Sequence, residues 1–215
     1  MINFYSFAKH GTWLIAHLLG QIRVEGIEHL PTKGGCIIAP NHLHLADPPV
    51  ISAFLPRKIY FMVKQESWDT PVVGLIPRWF DAFPVRRGEV DLNAYRRALK
   101  LLGDGQAVGI FPEGHRSKDG RLHAGQPGAI ALAQRSGVPI VPIGVWGIND
   151  VLSHPGIFRR TIHIHIGEPF HPPATRRGQI TAATDDLMAR IAKLIPPERG
   201  PVSAPNCSES SSPPA

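Results

Sequence analysis

Residues 36–49 read CIIAPNHLHLADPP. Residues 36–39 are small and apolar and stand between glycine and proline, the pattern of a short buried strand. His42, His44 and Asp47 follow in a stretch with no helical periodicity. Pro48 and Pro49 then open a helix that runs to about Leu55, because proline is tolerated in a first turn. A strand, a polar loop and a helix in direct succession is the unit from which sheets flanked by helices are built.

The same alternation extends in both directions. Strands are expected at residues 23–25, 59–63, 82–85, 107–111, 138–145 and 161–166, the last with Ile162, Ile164 and Ile166 on one face. Helices are expected at 127–136, at 181–195 and at 91–102, where Leu92, Tyr95, Leu99 and Leu102 recur at helical spacing. Residues 72–80 read as a short apolar helix kinked or broken at Pro77. The expected fold class is α/β, a single domain over residues 21–195 with a mixed sheet flanked by helices. Residues 196–215 are rich in Pro and Ser, lack aromatics, and read as a disordered tail.

Residues 2–20 form a separate element. Ile2, Phe4, Tyr5, Phe7, Trp13, Leu14, Ile15, Leu18 and Leu19 share one expected helix with Lys9, His10 and His17. Aromatic and aliphatic residues with a few basic ones suit an amphipathic helix docked at a membrane interface. A core-packing helix is the alternative, because the apolar residues are spread too widely for one stripe. The best candidate for a membrane span, residues 12–20, is about nine residues against the roughly 20 that spanning needs. The N-terminus has no signal-peptide layout.

A chain of 215 residues, 43% hydrophobic, suffices for one sizeable core. Lys plus Arg number 23 against 17 acidic residues, a formal net charge of +6, which suits anionic partners. The basic residues do not form one long run, so nucleic acid is not an expected partner. Cys36 in an apolar strand and Cys207 in the tail do not make a disulfide framework, which favours a reduced, cytosolic setting.

Two polar constellations carry chemistry. His42 and Asp47 cannot share a helical face, since five residues turn about 500°. They meet if His42 sits in the loop and Asp47 at the helix start, where aspartate before proline is also a good helix cap. An imidazole takes the proton of a hydroxyl as that hydroxyl attacks a carbonyl, and a carboxylate on the other ring nitrogen fixes the tautomer. His42, His44 and Asp47 also resemble a metal-ligand cluster, the basis for a metal-dependent hydrolase as the alternative function. The following Pro48 departs from the histidine that such hydrolases carry there. His163 and His165 would be a second half-site or a polar strand face.

Residues 111–117, FPEGHRS, put a glycine turn at a strand's carboxyl end, where α/β proteins place ligands. Arg116 can fork two hydrogen bonds to a phosphate and Ser117 can add one. Residues 83–88, FPVRRG, set Arg86 and Arg87 on opposite sides of a strand exit. Residues 138–144, VPIVPIG, are an apolar strand that lines a pocket or fills the core.

These four segments, in this order, resemble the glycerolipid acyltransferase family that includes 1-acylglycerol-3-phosphate acyltransferase. The family shows Asn-His-x-x-x-x-Asp, an arginine block after Phe-Pro-Val, Phe-Pro-Glu-Gly-x-Arg-Ser, and a Val-Pro-rich strand; the resemblance covers roughly residues 20–170. It implies His42 as general base and Asp47 as its partner. It implies Arg87 and Arg116, with Arg86 as a helper, on the acceptor's phosphate, and Glu113 and Gly114 shaping the acceptor site beside Ser117. It puts Val141, Pro142 and Ile143 in the fourth motif, expected to line an acyl pocket. The family commonly carries threonine or serine where this chain has His115. The implied reaction moves a fatty acyl group from acyl-CoA or acyl-carrier protein to 1-acylglycerol-3-phosphate (lysophosphatidic acid) or a related lyso-acceptor. The family needs no metal or prosthetic group. The implied location is the cytoplasmic face of the cell membrane, held peripherally at an anionic surface. A third possibility is a membrane-associated lipid-binding protein without turnover.

Overall fold

The computed structural model describes residues 4–86, 91–153, 160–174 and 179–201. Arg87, the first three residues and residues 202–215 of the expected tail lie outside the described residues.

The chain alternates as its sequence predicts. Helix α1 (Phe4–Leu19) leads into β1 (Gln21–Glu25) and β2 (Cys36–Pro40), followed by α2 (Asp47–Phe54), β3 (Ile59–Lys64), α3 (Gln65–Asp69), α4 (Leu75–Trp79) and β4 (Phe83–Val85). Then come α5 (Leu92–Gly103), β5 (Ala107–Gly109), α6 (Gly128–Ser136), β6 (Ile140–Trp146), α7 (Ile148–Ser153), β7 (Thr161–Ile166) and α8 (Ile180–Ala192). The seven strands form one sheet in the order β1-β7-β6-β2-β5-β3-β4. Among the neighbouring strands of the described residues only β6 and β7 run antiparallel, so the sheet is mixed and its central strands are parallel.

Apolar side chains leave both faces of the sheet, as a sheet covered on both sides requires. Ile37 of β2 packs with Ala98 of α5, Ile130 of α6 and Leu187 of α8. Its neighbour Ile38 points the other way, into a second cluster with Val50 and Ile51 of α2 and Ile148 and Val151 of α7. Three layers result, with the sheet in the middle.

Three local readings change. The apolar stretch 72–80 is a helix only over Leu75–Trp79. Pro77 therefore falls in the first turn, where its missing N–H has no intrahelical partner to lose, and no kink is needed. Two short helices, α3 and α7, have too few residues to show a period. Residues 196–201, at the head of the expected tail, belong to the folded body: Leu122 N–H donates to Arg199 O at 3.0 Å, and the Arg199 guanidinium meets Asp150 at 3.2 Å.

In α1 a narrow line of Tyr5, Ala8 and Ala16 is buried, while Phe4, Phe7, Trp13, Leu14, Ile15 and Leu18 are exposed. Lys9 anchors the helix to the body by donating to Leu55 O at 2.6 Å. Among the described residues no helix is long and apolar enough to cross a membrane.

Candidate active site

Parallel pairing of β2 with β5 sets Cys36 opposite Ala107, so both strands end at the same edge of the sheet. The loop after β2 carries His42 and the loop after β5 carries Glu113. They meet in space although 71 residues separate them. This is the carboxyl edge, where open α/β sheets bind ligands.

Three clamps fix the His42 loop. Asn41 exchanges two hydrogen bonds with the backbone of Val145 on β6, at 2.9 and 2.7 Å. The His42 N–H donates to Glu113 Oε1 at 2.8 Å, and the His42 carbonyl accepts from Ser117 N–H at 2.8 Å. His42 Nδ1 bonds to Asp47 Oδ2 at 2.8 Å. The same oxygen accepts the backbone N–H of Leu43 and of His44. Asp47 thus turns its carboxylate onto the loop before α2 and makes no cap bond to that helix. Its negative charge in the first turn still suits the helix dipole.

With Nδ1 engaged, Nε2 is the nitrogen left for a substrate. The ring lies against Phe111, centroids 3.9 Å apart, and Phe111 in turn stacks near Phe61 at 5.4 Å. Gly109 makes room for this stack: a Cβ there would collide with the Phe61 ring. His42 is 8% exposed and lines a cleft of about 120 Å³ with Phe61, Val63, Phe80, Phe111, Lys64 and Arg116.

Glu113 is fully buried and both its oxygens are taken, Oε1 by His42 N–H and Oε2 by His123 N–H at 3.1 Å. Burial pushes its carboxyl above the usual carboxylate range, opposed by those two N–H groups. Glu113 shapes the site from behind rather than touching a ligand. Gly114 follows it with φ +72°, a turn that other residues adopt at a cost. The Ser117 hydroxyl donates to Asp119 Oδ1 at 2.8 Å, which leaves it no proton for a phosphate in this conformation. That bond, followed by those from His123 and Arg121, holds the Asp119 carboxyl well below its usual range. His115 is exposed, its ring edge-on to His123 at 5.7 Å.

Two further expectations are corrected. Val141, Pro142 and Ile143 do not line the cleft. They sit buried in β6 inside the sheet, where Val141 pairs with Ile38 and Ile143 with Pro40. Their strand braces the His42 loop, through Asn41, and the cleft wall comes instead from β3, α4 and Phe111. Arg86 lines a neighbouring groove with Gln65, Asn93, Arg96 and Arg97 rather than the cleft of His42. The consecutive residues Lys64 and Gln65 line one each. Lys64, Phe61 and Asn41 have roles that the sequence reading did not assign. Asn41 alone carried a signal, its place directly before His42.

The metal-ligand alternative loses its geometry. His44 Nδ1 accepts the Ala46 N–H at 3.0 Å while His42 Nδ1 holds Asp47, so Asp47 and one nitrogen of each ring are engaged within the loop. No cluster among the described residues has the make-up of a metal site. His163 stacks on Trp146 at 4.5 Å and His165 pairs with Glu25 at 3.1 Å, a polar strand face.

Residues 21–146, which contain the whole clamp around His42, match the family model described as Acyltransferase. The chain belongs to the acyltransferase family. The 1-acyl-sn-glycerol-3-phosphate acyltransferase of Bacillus subtilis is 32% identical over 199 residues, spanning 88% of this chain and 96% of that protein. A chloroplastic protein of the same name from Arabidopsis thaliana is 29% identical, over 70% of this chain and 44% of its own length. The crystal structure of the 1-acyl-sn-glycerophosphate (LPA) acyltransferase PlsC from Thermotoga maritima superposes with a TM-score of 0.65 at 25% identity, covering 89% of this chain and 78% of that one. The present acyltransferase shares the α/β fold of the Thermotoga protein, and the dyad lies within the segment that matches the family model.

Proposed function

We propose that this acyltransferase moves a fatty acyl group from a thioester donor, acyl-CoA or acyl-carrier protein, to the free hydroxyl of 1-acylglycerol-3-phosphate or a close relative. The reading rests above all on one observation: a buried His42–Asp47 pair at 2.8 Å on the wall of an apolar cleft that has Arg116 in its lining. The names of the relatives add the acceptor class.

In this mechanism His42 Nε2 takes the acceptor's hydroxyl proton as the oxygen attacks the thioester carbon. Asp47 keeps the other proton on Nδ1 and stabilises the imidazolium. The tetrahedral adduct collapses, the C–S bond breaks, and the imidazolium returns its proton to the departing thiolate. Arg116, exposed and lining the cleft, holds the acceptor's phosphate, with Lys64 lining the same cleft. Arg87, outside the described residues, joins them on the family pattern. No metal or prosthetic group takes part. The exposed apolar side of α1 rests on an anionic membrane surface, where such an acceptor resides.

The test is lipid mass spectrometry after incubating the protein with each donor and a panel of lyso-acceptors. Conversion of the lyso-phosphate to its diacyl product, lost in His42→Ala, is the expected result. Thioester hydrolysis without acyl transfer to any acceptor would overturn it.

A further inference from the structure

The proposed reaction brings two long chains together, the donor's acyl group and the chain that the acceptor already carries. The cleft of His42 has room of only about 120 Å³, below the roughly 300–1,000 Å³ of ordinary ligand pockets. Next to it lies a second, open cavity of about 520 Å³, lined mainly by α1, α2, α4 and α7. Pro49, Ile76 and Phe80 line both, so three side chains are all that the two share as a partition. Phe80 is itself packed edge-on against Tyr5 of α1, at 5.8 Å. The walls of the second cavity are nearly all apolar, and its rim includes the exposed Phe7, Ile15, Trp79 and Leu152. A groove with that rim opens among apolar side chains rather than among charges.

We infer that the groove between α1 and the α4–α7 side of the body holds the hydrocarbon chain of the acceptor lipid, while the cleft admits the donor's acyl end. This rests on the acyl-transfer reading above. The acceptor rather than the donor is assigned to it because the groove opens on the exposed apolar side of α1. A donor carried by CoA or a carrier protein arrives from water. The partition then brings an acceptor seated in the groove alongside His42.

Gly11 gives a direct test. It lines the groove, lies mid-helix, and a Cβ placed there meets nothing within 4 Å. Gly11→Phe should therefore fill the groove without straining the helix. Acceptors with short (C8) and long (C18) chains would be presented as monomers, below their aggregation concentrations. Each methylene shut out of apolar surroundings weakens binding about fourfold, so losing two of them is about 15-fold. The ratio of kcat/KM for the C18 to the C8 acceptor should fall by about that factor, with the dependence on donor chain length unchanged. A shift in donor-length dependence instead, or in neither, would overturn the assignment.

Should Gly11→Phe fail to fold, the unaltered chain decides the matter with an acceptor bearing a diazirine at its chain end. Labelling within Phe4–Leu19 or Ile148–Ser153 is expected, and labelling confined to β3 and α3 would refute it. An unaltered chain that acylates neither acceptor would sink the transfer reading, and this inference with it.

Discussion

Two carboxylates flank His42, one at its ring and one at its backbone, and they do different work. Asp47 holds Nδ1, so Asp47→Asn should impair the proton relay and His42→Ala remove it. Losses of about 10² to 10⁴ in kcat are expected for His42→Ala, measured as thioester-dependent acyl transfer in a variant whose circular dichroism is unchanged. Near-normal turnover would mean that another group is the base. Glu113 positions His42 without meeting the substrate. In Glu113→Gln one amide N–H₂ must face a backbone N–H, of His42 or His123, and a bond is lost in a buried place. The cost should be about 1–3 kcal/mol of stability, seen in denaturant titration. The pH dependence carries a sign. Because burial raises the Glu113 pKa, the folded state favours the protonated form. Its stabilising contribution is full below the ordinary glutamate value of about 4.3 and is lost as pH rises through the raised folded value. Stability relative to Glu113→Gln should thus decline across that window. A difference that grew with pH would show that the two N–H bonds outweigh burial.

Among the elements, α1 has the most unusual distribution of side chains. Apart from Tyr5, its buried residues are small, and most of its large apolar ones are exposed, the reverse of a core helix. Deleting it would uncover α2 and Phe80, so point changes test its role more cleanly. Leu14 and Leu18 are 53% and 60% exposed and do not line the groove. Leu14→Glu with Leu18→Glu should leave the thermal midpoint nearly unchanged. It should weaken co-sedimentation with anionic vesicles by at least about tenfold, since burying one leucine contributes roughly 1.5–3 kcal/mol. Unaltered sedimentation would move the membrane contact elsewhere. Strand β6 makes the opposite point. Its apolar run reads equally as pocket or as core, and the strand between β7 and β2 is core. An apolar pattern reports burial but not what does the burying.

At the scale of the molecule, ligand groups gather at one sheet edge because parallel register brings the ends of β2, β3 and β5 together. Arg116 lines the cleft and Arg86 the neighbouring groove. Arg116→Ala should therefore raise the acceptor KM by about tenfold or more, one charge-assisted hydrogen bond being roughly 1.5–3 kcal/mol, and leave the donor KM nearly unmoved. Equal effects on both would place the donor's phosphates there instead. Transfer should also persist in excess chelator, and His44→Ala should keep most of the rate, since the His44 ring is engaged with its own loop. Loss on chelation with recovery on adding zinc would revive metal chemistry. The order of strands and helices was legible in the sequence, because periodicity and glycine–proline punctuation are local. The pairing of His42 with Asp47 is open on spacing alone, beside a cap and a metal-ligand reading, and only the family resemblance implies it. Tertiary structure alone decided the rest. Glu113 is a clamp on His42 only because β2 and β5 are neighbours, Arg86 and Arg116 part company over the exits of different strands, and the cavity behind Phe80 exists only where α1 lies against α4 and α7. Each depends on contacts between residues far apart in the chain, which no local pattern encodes.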